Sequence, residues 1–280
     1  MARYEYSWAA DAPYLVYGRH GVFRGKPNDV YIGRSLATYG EYSEIELRGL
    51  LQLLRPGDVA IEAGANIGSH SIALARRVGP EGRLFAFEPQ AETFAILQRN
   101  IELNRLENVS ALAVAVGARA ETLYHDPPPG GATANFGGVS MSRGQGRVAT
   151  PSAPLDEAID AAGLGPIRLL KIDVEGMEED VLVGAERLIN AHRPQIYLEN
   201  DRVDRSASLI QRLLDMDYCP FWSTPAMFNP HNFFGVAQNV FGGILSLNML
   251  CIPKEALDAA GIAGAVRDPS DRPVINGRRL

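Results

Sequence analysis

Cysteine is scarce in this 280-residue chain, and basic runs are absent. The two cysteines, Cys219 and Cys251, lie in no CxxC motif or Cys/His cluster, which excludes a disulfide framework. Two free thiols are typical of a reducing, cytoplasmic compartment, which we therefore expect for this protein. The 27 basic and 33 acidic side chains give a net charge of −6, with no basic run to bind a phosphate backbone. We therefore expect small or neutral partners and no nucleic acid.

Long apolar runs are absent too. Residues 1–18 are interrupted by Asp11 and Pro13 and lack the apolar core of a secretory signal, so none is predicted. The longest uncharged stretch, residues 218–253, is broken by prolines and asparagines, which excludes a membrane span there. We expect residues 223–245 of this stretch to form a lid over the substrate.

Apolar residues are plentiful, at 46% of the chain, which is enough for a substantial core. From residue 58 onward short apolar runs alternate with amphipathic segments, as in a mostly parallel sheet whose strands are joined by helices. The predicted elements are strands 58–62, 83–88, 108–116, 168–173, 195–199, 218–222 and 247–252 and helices 68–78, 91–104, 177–190 and 205–215. The sequence thus predicts a doubly wound α/β sheet of seven strands within residues 51–253. An N-terminal cap (1–50) and a C-terminal tail (254–280) flank it, and the tail either hangs loose or embraces a second subunit of a homodimer.

Residues 117–151 interrupt this alternation with glycines and prolines. Two short alternating runs, 121–125 and 138–142, predict a β-hairpin insert. Asn135 and Ser140 in this insert are candidates for hydrogen bonds to a polyhydroxylated substrate. A bulged hairpin without a binding role would use the same residue types.

The segment EAGANIG lies between a predicted strand and a predicted helix, where glycines let the backbone approach a ligand. A dinucleotide fingerprint reads GxGxxG, but Asn66 stands between Gly64 and Gly68 where that motif has its second glycine. Glu62, at the strand end, would repel a pyrophosphate and could instead hold an ammonium group. Glu88 ends the next strand, where a carboxylate can accept both hydroxyls of a ribose.

Four patterns follow one another in fixed order between residues 58 and 200. They are EAGANIG at 62–68, FEP at 87–89, LN with NV at 103–104 and 108–109, and LKIDVEGME at 170–178. Together they resemble the FkbM family of S-adenosylmethionine-dependent methyltransferases. One departure is Glu62, where the family usually has Asp.

The resemblance implies a class I methyltransferase fold, a Rossmann-like doubly wound sheet of seven strands with the last strand antiparallel. It also implies S-adenosylmethionine-dependent O-methylation of a hydroxyl on a sugar, glycan or other specialised metabolite. The cofactor would be held by residues of the first two motifs, Glu62, Gly64, Asn66, Gly68, Glu88 and Pro89. Three other interpretations stay open: an N-methyltransferase of a small molecule, a non-catalytic cofactor-binding scaffold, and a nicotinamide oxidoreductase, which Asn66 and Glu62 disfavour.

Candidate catalytic residues lie where two neighbouring strands end, because ligands of open α/β sheets bind at the carboxyl ends of strands. Asp173 and Glu175 follow one strand, and Glu199 and Asn200 end the next. Asp173, Glu199 and Asn200 offer the hard oxygen ligands that suit Mg²⁺ or Ca²⁺, as in catechol-type methyltransferases. The rival interpretation is direct action, with Asp173 or Glu175 as the base and Asn200 contacting the substrate. Glu175 could equally cap the following helix.

Two histidines, His231 and His70, each have two interpretations. His231 lies in the uncharged stretch and is an alternative base, although a loop histidine bonded to backbone explains it as well. His70 follows the glycine motif directly, so it either contacts the cofactor's carboxylate or simply begins a helix. We favour the helix start.

Overall fold

The computed structural model describes residues 14–127, 133–161, 163–258, 261–275 and 277–279. The described strands are β1 (Tyr14–Tyr17), β2 (Val22–Gly25), β3 (Val59–Ala63), β4 (Arg83–Phe87), β5 (Val109–Leu112), β6 (Ala115–Val116), β7 (Glu121–His125), β8 (Val148–Ala153), β9 (Ile167–Ile172), β10 (Gln195–Glu199), β11 (Tyr218–Ser223), β12 (Asn248–Pro253), β13 (Val274–Ile275) and β14 (Arg278–Arg279). The α-helices are α1 (Ile32–Tyr39), α2 (Glu44–Leu53), α3 (Ser71–Val78), α4 (Ala91–Leu103), α5 (Leu155–Ala158), α6 (Glu178–Gly184), α7 (Glu186–His192) and α8 (Val203–Asp215). Two 3₁₀ turns, Lys254–Ala256 and Gly261–Gly264, lie in the tail.

Seven of these strands form one mixed sheet in the order β11-β12-β10-β9-β3-β4-β5. The pairs β10–β9, β9–β3, β3–β4 and β4–β5 are parallel, whereas β12 is antiparallel to both β10 and β11. This order confirms the predicted doubly wound seven-stranded sheet with its last strand antiparallel. The topology reverses beside β3, and the carboxyl ends of β3 and its neighbours therefore border the crevice where such sheets bind ligands.

Two apolar layers cover the sheet, as a parallel sheet requires. One layer joins the sheet to α6, α7 and α8 through residues such as Val181, Ile189 and Leu213. The opposite layer joins it to α2, α3 and α4 through Leu50 and Leu74, among others. The central strand β3 is buried along its whole length, which explains why its sequence, VAIEA, shows no polar alternation.

The N-terminal part of the described chain is attached to helix α4. Asn100 Oδ1 accepts a hydrogen bond from the Arg24 amide at 2.6 Å, and Asn104 Oδ1 accepts one from the Val22 amide at 3.0 Å. These asparagines satisfy the free edge of β2, so the β1–β2 hairpin packs on the sheet domain. The tyrosines and tryptophan of residues 4–8 lie outside the described residues, and the division at residues 50 and 253 stays a prediction.

Two predicted elements are each divided in the structure. The predicted strand 108–116 divides, because β6 leaves the main sheet to pair with β8. The predicted helix 177–190 is two helices, α6 and α7, and the break at Gly184 brings that glycine so close to the Gly117 carbonyl that a Cβ would lie 2.0 Å from it.

The insert also pairs differently from the predicted hairpin. Strand β7 pairs with β8, while residues 138–142 contribute a single bridge, between Tyr124 and Ser142. Asn135 Oδ1 accepts hydrogen bonds from the amides of Gly137 at 3.1 Å and Gly138 at 3.0 Å, which turns the chain at the start of the predicted second strand. Residues 128–132 of the insert lie outside the described part of the chain.

No helix among the described residues combines the length and the apolar character needed to cross a membrane. The described tail continues from the 3₁₀ turns into the short β13–β14 pair. Its role in a homodimer stays a prediction.

The turn between β3 and α3 needs three left-handed residues. The φ angles of Gly64, Asn66 and Gly68 are 88°, 50° and 84°. The amides of Gly64 and Ala65 both donate to the Phe87 carbonyl, at 3.0 and 2.8 Å, so the turn is fastened to the end of β4. Gly64 also lies against the next strand, where an added Cβ would be 1.8 Å from the Asp173 carbonyl oxygen.

We predict that Gly64→Ala lowers the free energy of unfolding by about 2 kcal/mol or more, because a left-handed alanine is strained and its Cβ meets backbone. Urea denaturation measures this change. Gly49→Ala is the matched control, since Gly49 is exposed within α2 and its Cβ would meet nothing within 4 Å. That variant should be more stable by about 0.5–1 kcal/mol. Equal stabilities for wild type and Gly64→Ala would contradict this account of the turn.

Candidate active site

A cavity of about 610 Å³ opens at the carboxyl ends of β3, β4, β9 and β10. Strand ends and the glycine turn form its floor, and three other parts of the chain form its walls. These are the N-terminal part, the insert, and the segment between β11 and β12. The wall residues include Tyr31, Tyr42, Glu46, Asn135, Val139, Met141, Met227, Ile244, Leu245, Ser246, Leu247 and Asn248.

Glu88 lies at one end of this cavity and is almost fully buried. Its two oxygens accept hydrogen bonds from backbone amides, Oε2 from Asn66 at 3.0 Å and Oε1 from Gln90 at 2.8 Å. Burial raises the pKa of Glu88 to about 7, against the effect of these two amides. Phe87, Pro89 and Val114 lie beside it in the cavity wall. A carboxylate fixed next to apolar surface can accept hydroxyl donors from a ligand that carries a flat apolar group.

Glu62 lies at the end of β3 and contacts the cavity from below. Ser71 Oγ donates to its Oε2 at 2.5 Å, and Lys171 Nζ lies 3.6 Å from its Oε1. Burial raises the pKa of Glu62, while Lys171 and Ser71 act in the opposite direction. The predicted ammonium-binding carboxylate is therefore already paired with a cation of the protein.

Lys171 is the buried cation at the centre of the site. Its Nζ donates to Asp173 Oδ2 at 3.1 Å, and its side chain is 3% exposed. Burial lowers the pKa of Lys171, but the carboxylates of Asp173, Glu62 and Glu46 outweigh burial and raise it above the usual value. Lys171 therefore stays charged and holds acids from different elements in place.

Asp173, Glu175 and Glu199 form an acidic cluster, with one oxygen of each within 4.8 Å of the others. Arg202 Nη2 donates to Glu175 Oε2 at 2.8 Å. Burial, followed by the neighbouring Asp173, raises the pKa of Glu175 to about 7. Burial, followed by the like charges of Asp173 and Glu175, raises the pKa of Glu199 well above that of a free glutamate. Burial and like charge therefore favour a protonated carboxyl within this cluster.

Two cations of the protein face this cluster, and each is shared between two carboxylates. Lys171 Nζ lies 3.1 Å from Asp173 and 3.6 Å from Glu62, and Arg202 lies 2.8 Å from Glu175 and 3.2 Å from Asp201. The predicted partnership of Asp173 and Glu199 is present in the structure. Glu175 is the third member, with a left-handed φ of 57° that points the loop into the cluster.

Asn200 was predicted to bind a metal or the substrate, but the structure places its side chain away from the cavity. Its side chain is buried, and its Nδ2 donates to Met249 Sδ at 3.1 Å, on the neighbouring strand β12. Successive residues at a strand end point to opposite faces, so when Glu199 faces the cavity Asn200 faces the core. The sequence shows both residues at the strand end but not which one points inward.

His231, predicted as an alternative base, and Ser140, predicted to bind the substrate, also lie outside this cavity. His231 is exposed outside the cavity wall, where its amide donates to Asn229 Oδ1 at 3.0 Å and its carbonyl accepts from Arg19 at 2.9 Å. Both of these hydrogen bonds are made by the main chain of His231, so neither involves its imidazole. Ser140 is exposed in a shallow groove beside the cavity, whereas Asn135 borders both spaces.

The other predicted cofactor residues lie at the floor. Gly64, Asn66 and Pro89 border the cavity with Glu62 and Glu88. Gly68 acts one step away, because its amide donates to the Ala65 carbonyl at 2.9 Å and closes the turn.

The sequence prediction missed Tyr42 and Glu46, which come from the N-terminal part and border the cavity. Ser43 Oγ donates to Glu46 Oε2 at 2.9 Å. Burial raises the pKa of Glu46 to about 7, against the effect of Lys171. The serine three residues before a glutamate is a helix-start signature, and it marks α2 but not the direction of the glutamate.

Comparison with known proteins bears on this geometry. The profile of the methyltransferase FkbM domain matches residues 62–219, more than half of the chain. This chain belongs to the FkbM methyltransferase family. The match covers the glycine turn, Glu88, Lys171 and the acidic cluster, so the floor of the cavity lies within the matched part.

Curated FkbM-family relatives cover the chain in part. The chain is 32% identical over 189 residues to 31-O-demethyl-FK506 methyltransferase FkbM of Streptomyces tacrolimicus, covering 58% of this chain and 72% of that protein. It is 28% identical over 144 residues to Methyltransferase 1 of Beauveria bassiana, covering 45% and 57% of the two proteins. It is 28% identical over 145 residues to the hexuronic acid methyltransferase AglP of Haloferax volcanii, covering 52% and 56%. The chain thus spans little more than half the length of the last two relatives.

We predict that Lys171→Met lowers the free energy of unfolding of this FkbM-family methyltransferase by about 3–5 kcal/mol at pH 7. The reason is that Glu62, Asp173 and Glu46 lose their buried cation. Adding Glu62→Gln to that variant should restore part of the loss, because one uncompensated carboxylate is removed. Urea denaturation of the two single variants, the double variant and the wild type measures both effects.

The control is Lys254→Met, which removes a lysine from an exposed 3₁₀ turn and should change stability by less than about 0.5 kcal/mol. A Lys171→Met protein as stable as the wild type would show that this lysine does not hold the acids together.

Proposed function

We propose that the protein is an S-adenosylmethionine-dependent O-methyltransferase that acts on a hydroxyl of a sugar, glycan or other specialised metabolite. The observation that carries the proposal is one cavity bordered by Glu88 at one end and by the acidic cluster at the other. The names of two relatives support it, since one is a 31-O-demethyl-FK506 methyltransferase and another a hexuronic acid methyltransferase.

The cavity floor fits this cofactor. Glu88 would accept the ribose hydroxyls, its carboxylate held by the amides of Asn66 and Gln90. Phe87, Pro89 and Val114 offer apolar surface for the adenine. The methionyl part would extend toward the glycine turn and Glu62. When bound, S-adenosylmethionine supplies an electrophilic methyl group on a sulfonium sulfur.

The acidic cluster would handle the acceptor. Asp173 is the most open of its three members, with a side chain 45% exposed, and Lys171 fixes its orientation at 3.1 Å. We assign it the binding of the acceptor hydroxyl and the removal of its proton as the oxygen–methyl bond forms and the sulfur–methyl bond breaks. Glu175, held by Arg202, and the neighbouring Glu199 would position the acceptor.

A hydroxyl fits this cluster better than an amine. Carboxylates stabilise an amine in its ammonium form, whose nitrogen has no lone pair to attack the methyl group. A hydroxyl, in contrast, gains nucleophilicity when a carboxylate accepts its proton.

The divalent metal stays a prediction. A proton held among the three carboxylates would also lower their mutual repulsion, since burial and like charge raise the pKa of both Glu175 and Glu199.

Calorimetric titration with S-adenosylhomocysteine tests the cofactor site. We predict micromolar binding, about −8 kcal/mol, for the wild type, and a loss of at least tenfold for Glu88→Ala because its hydrogen bonds involve a charged acceptor. The control is Glu102→Ala, which removes an exposed carboxylate from α4 and should bind like the wild type. Wild-type protein that is folded but binds NADH and not S-adenosylhomocysteine would refute the proposal.

Methyl transfer to a panel of hydroxylated acceptors, sugars and macrocyclic alcohols among them, tests the catalytic part. We predict that Asp173→Asn lowers turnover about 10²- to 10⁴-fold while S-adenosylhomocysteine still binds. Ser140→Ala, outside the cavity, should retain full turnover. Treatment with EDTA should change nothing, and a loss restored by Mg²⁺ or Ca²⁺ would establish the metal instead. Full turnover by Asp173→Asn would rule out our assignment of the base.

A further inference from the structure

His70 is buried in the cavity wall without an evident structural role. It occupies the N-cap position of α3, yet its side chain makes no capping hydrogen bond to the described helix. Its ring is 4% exposed and lies 5.6 Å from the ring of Tyr42, centroid to centroid. The helix-start interpretation therefore accounts for the position of the residue but not for its imidazole.

The two ring nitrogens of His70 have different surroundings. One nitrogen is hydrogen-bonded to the Tyr42 backbone, and this bond acts to raise the pKa of His70. A bond with that effect is one in which a ring N–H donates to the Tyr42 carbonyl. The other, Nε2, is buried and has no hydrogen-bond partner among the described residues. Burial, followed by the nearby Lys171, lowers the pKa of His70 to about 3. The ring is therefore neutral, with its proton on Nδ1 and a free lone pair on Nε2.

An unpaired buried acceptor costs free energy unless a ligand satisfies it. Because Nε2 carries no proton, its partner must be a donor, and this excludes the cofactor's carboxylate. The next residue, Ser71, donates to Glu62 at 2.5 Å, so His70 lies at the Glu62 end of the cavity and not at the Glu88 end.

We propose that His70 Nε2 accepts a hydrogen bond from the α-ammonium group of the bound cofactor and thereby positions its methionyl part. This inference rests on the proposed function. An ammonium group has three N–H donors and needs several acceptors. Glu62 supplies negative charge, and Ser71 and Lys171 each contact one of its two oxygens. His70 supplies a further directed acceptor beside Glu62.

The test compares variants of His70 in their binding of a ligand that carries the α-amino group and of one that lacks it. Calorimetry compares S-adenosylhomocysteine with its analogue in which hydrogen replaces the α-amino group, on wild type, His70→Phe and His70→Gln. Phenylalanine keeps a ring beside Tyr42 without an acceptor, and glutamine returns an acceptor oxygen near the position of Nε2.

For His70→Phe we expect binding of S-adenosylhomocysteine to weaken about tenfold, as for one charge-assisted hydrogen bond. Binding of the deaminated analogue should stay within about twofold of wild type, and His70→Gln should recover part of the lost affinity. Thermal unfolding of each variant establishes that it is folded. In the wild type, ¹⁵N NMR of the His70 ring, assigned by its loss in His70→Phe, should show the neutral tautomer with the proton on Nδ1.

Three results would overturn the proposal. Equal weakening of both ligands in His70→Phe would show that His70 only shapes the wall. Unchanged ligand binding with a raised KM for the acceptor would assign the donor to the acceptor substrate. A wild type that binds neither ligand would refute the proposed function itself, and so is distinguishable from a failure of His70 alone.

Discussion

The buried ammonium group of Lys171 is the interaction on which the rest of this site depends. It lies on β9, one strand from Glu62 on β3, and contacts Asp173 just beyond its own strand end. Glu46 on α2 also acts on its charge. Without that cation the buried Glu62 and Glu46 would lose a positive neighbour, and burial would favour their protonated forms. Lys171 thus allows the carboxyl ends of β3 and β9 and the helix α2 to present ionisable groups to one cavity.

A second constraint is the left-handed turn after β3, which fixes the other end of the cavity. Its amides bind the end of β4 and, through Asn66, the carboxylate of Glu88. The same turn leads into His70 and Ser71, which lie at the Glu62 end of the floor.

Much of this was predictable from the sequence, and the failures have physical causes. The number of strands and the floor residues follow from apolar runs and a glycine motif, which are local signals, whereas the antiparallel last strand followed from the family resemblance. The direction of Asn200 was not predictable, because a shift of one residue at a strand end exchanges the inward and outward side chains. Nor was Glu46, since only the packing of α2 on the sheet brings it to the cavity. The pairing of β7 with β8 depends on contacts across the insert, beyond the reach of local alternation.

The remaining walls show how such a site can vary while its floor is kept. Glu41 fastens the segment between β11 and β12 to the N-terminal part, accepting from Asn229 Nδ2 at 2.7 Å and from the Phe233 amide at 2.8 Å. Arg19 donates to the same carboxylate at 2.7 Å. These contacts involve no floor residue, so changes in Met227 or Leu245 would reshape the wall without disturbing Lys171 or the glycine turn. The segment between β11 and β12 and the floor of the cavity are thereby stabilised by separate sets of contacts.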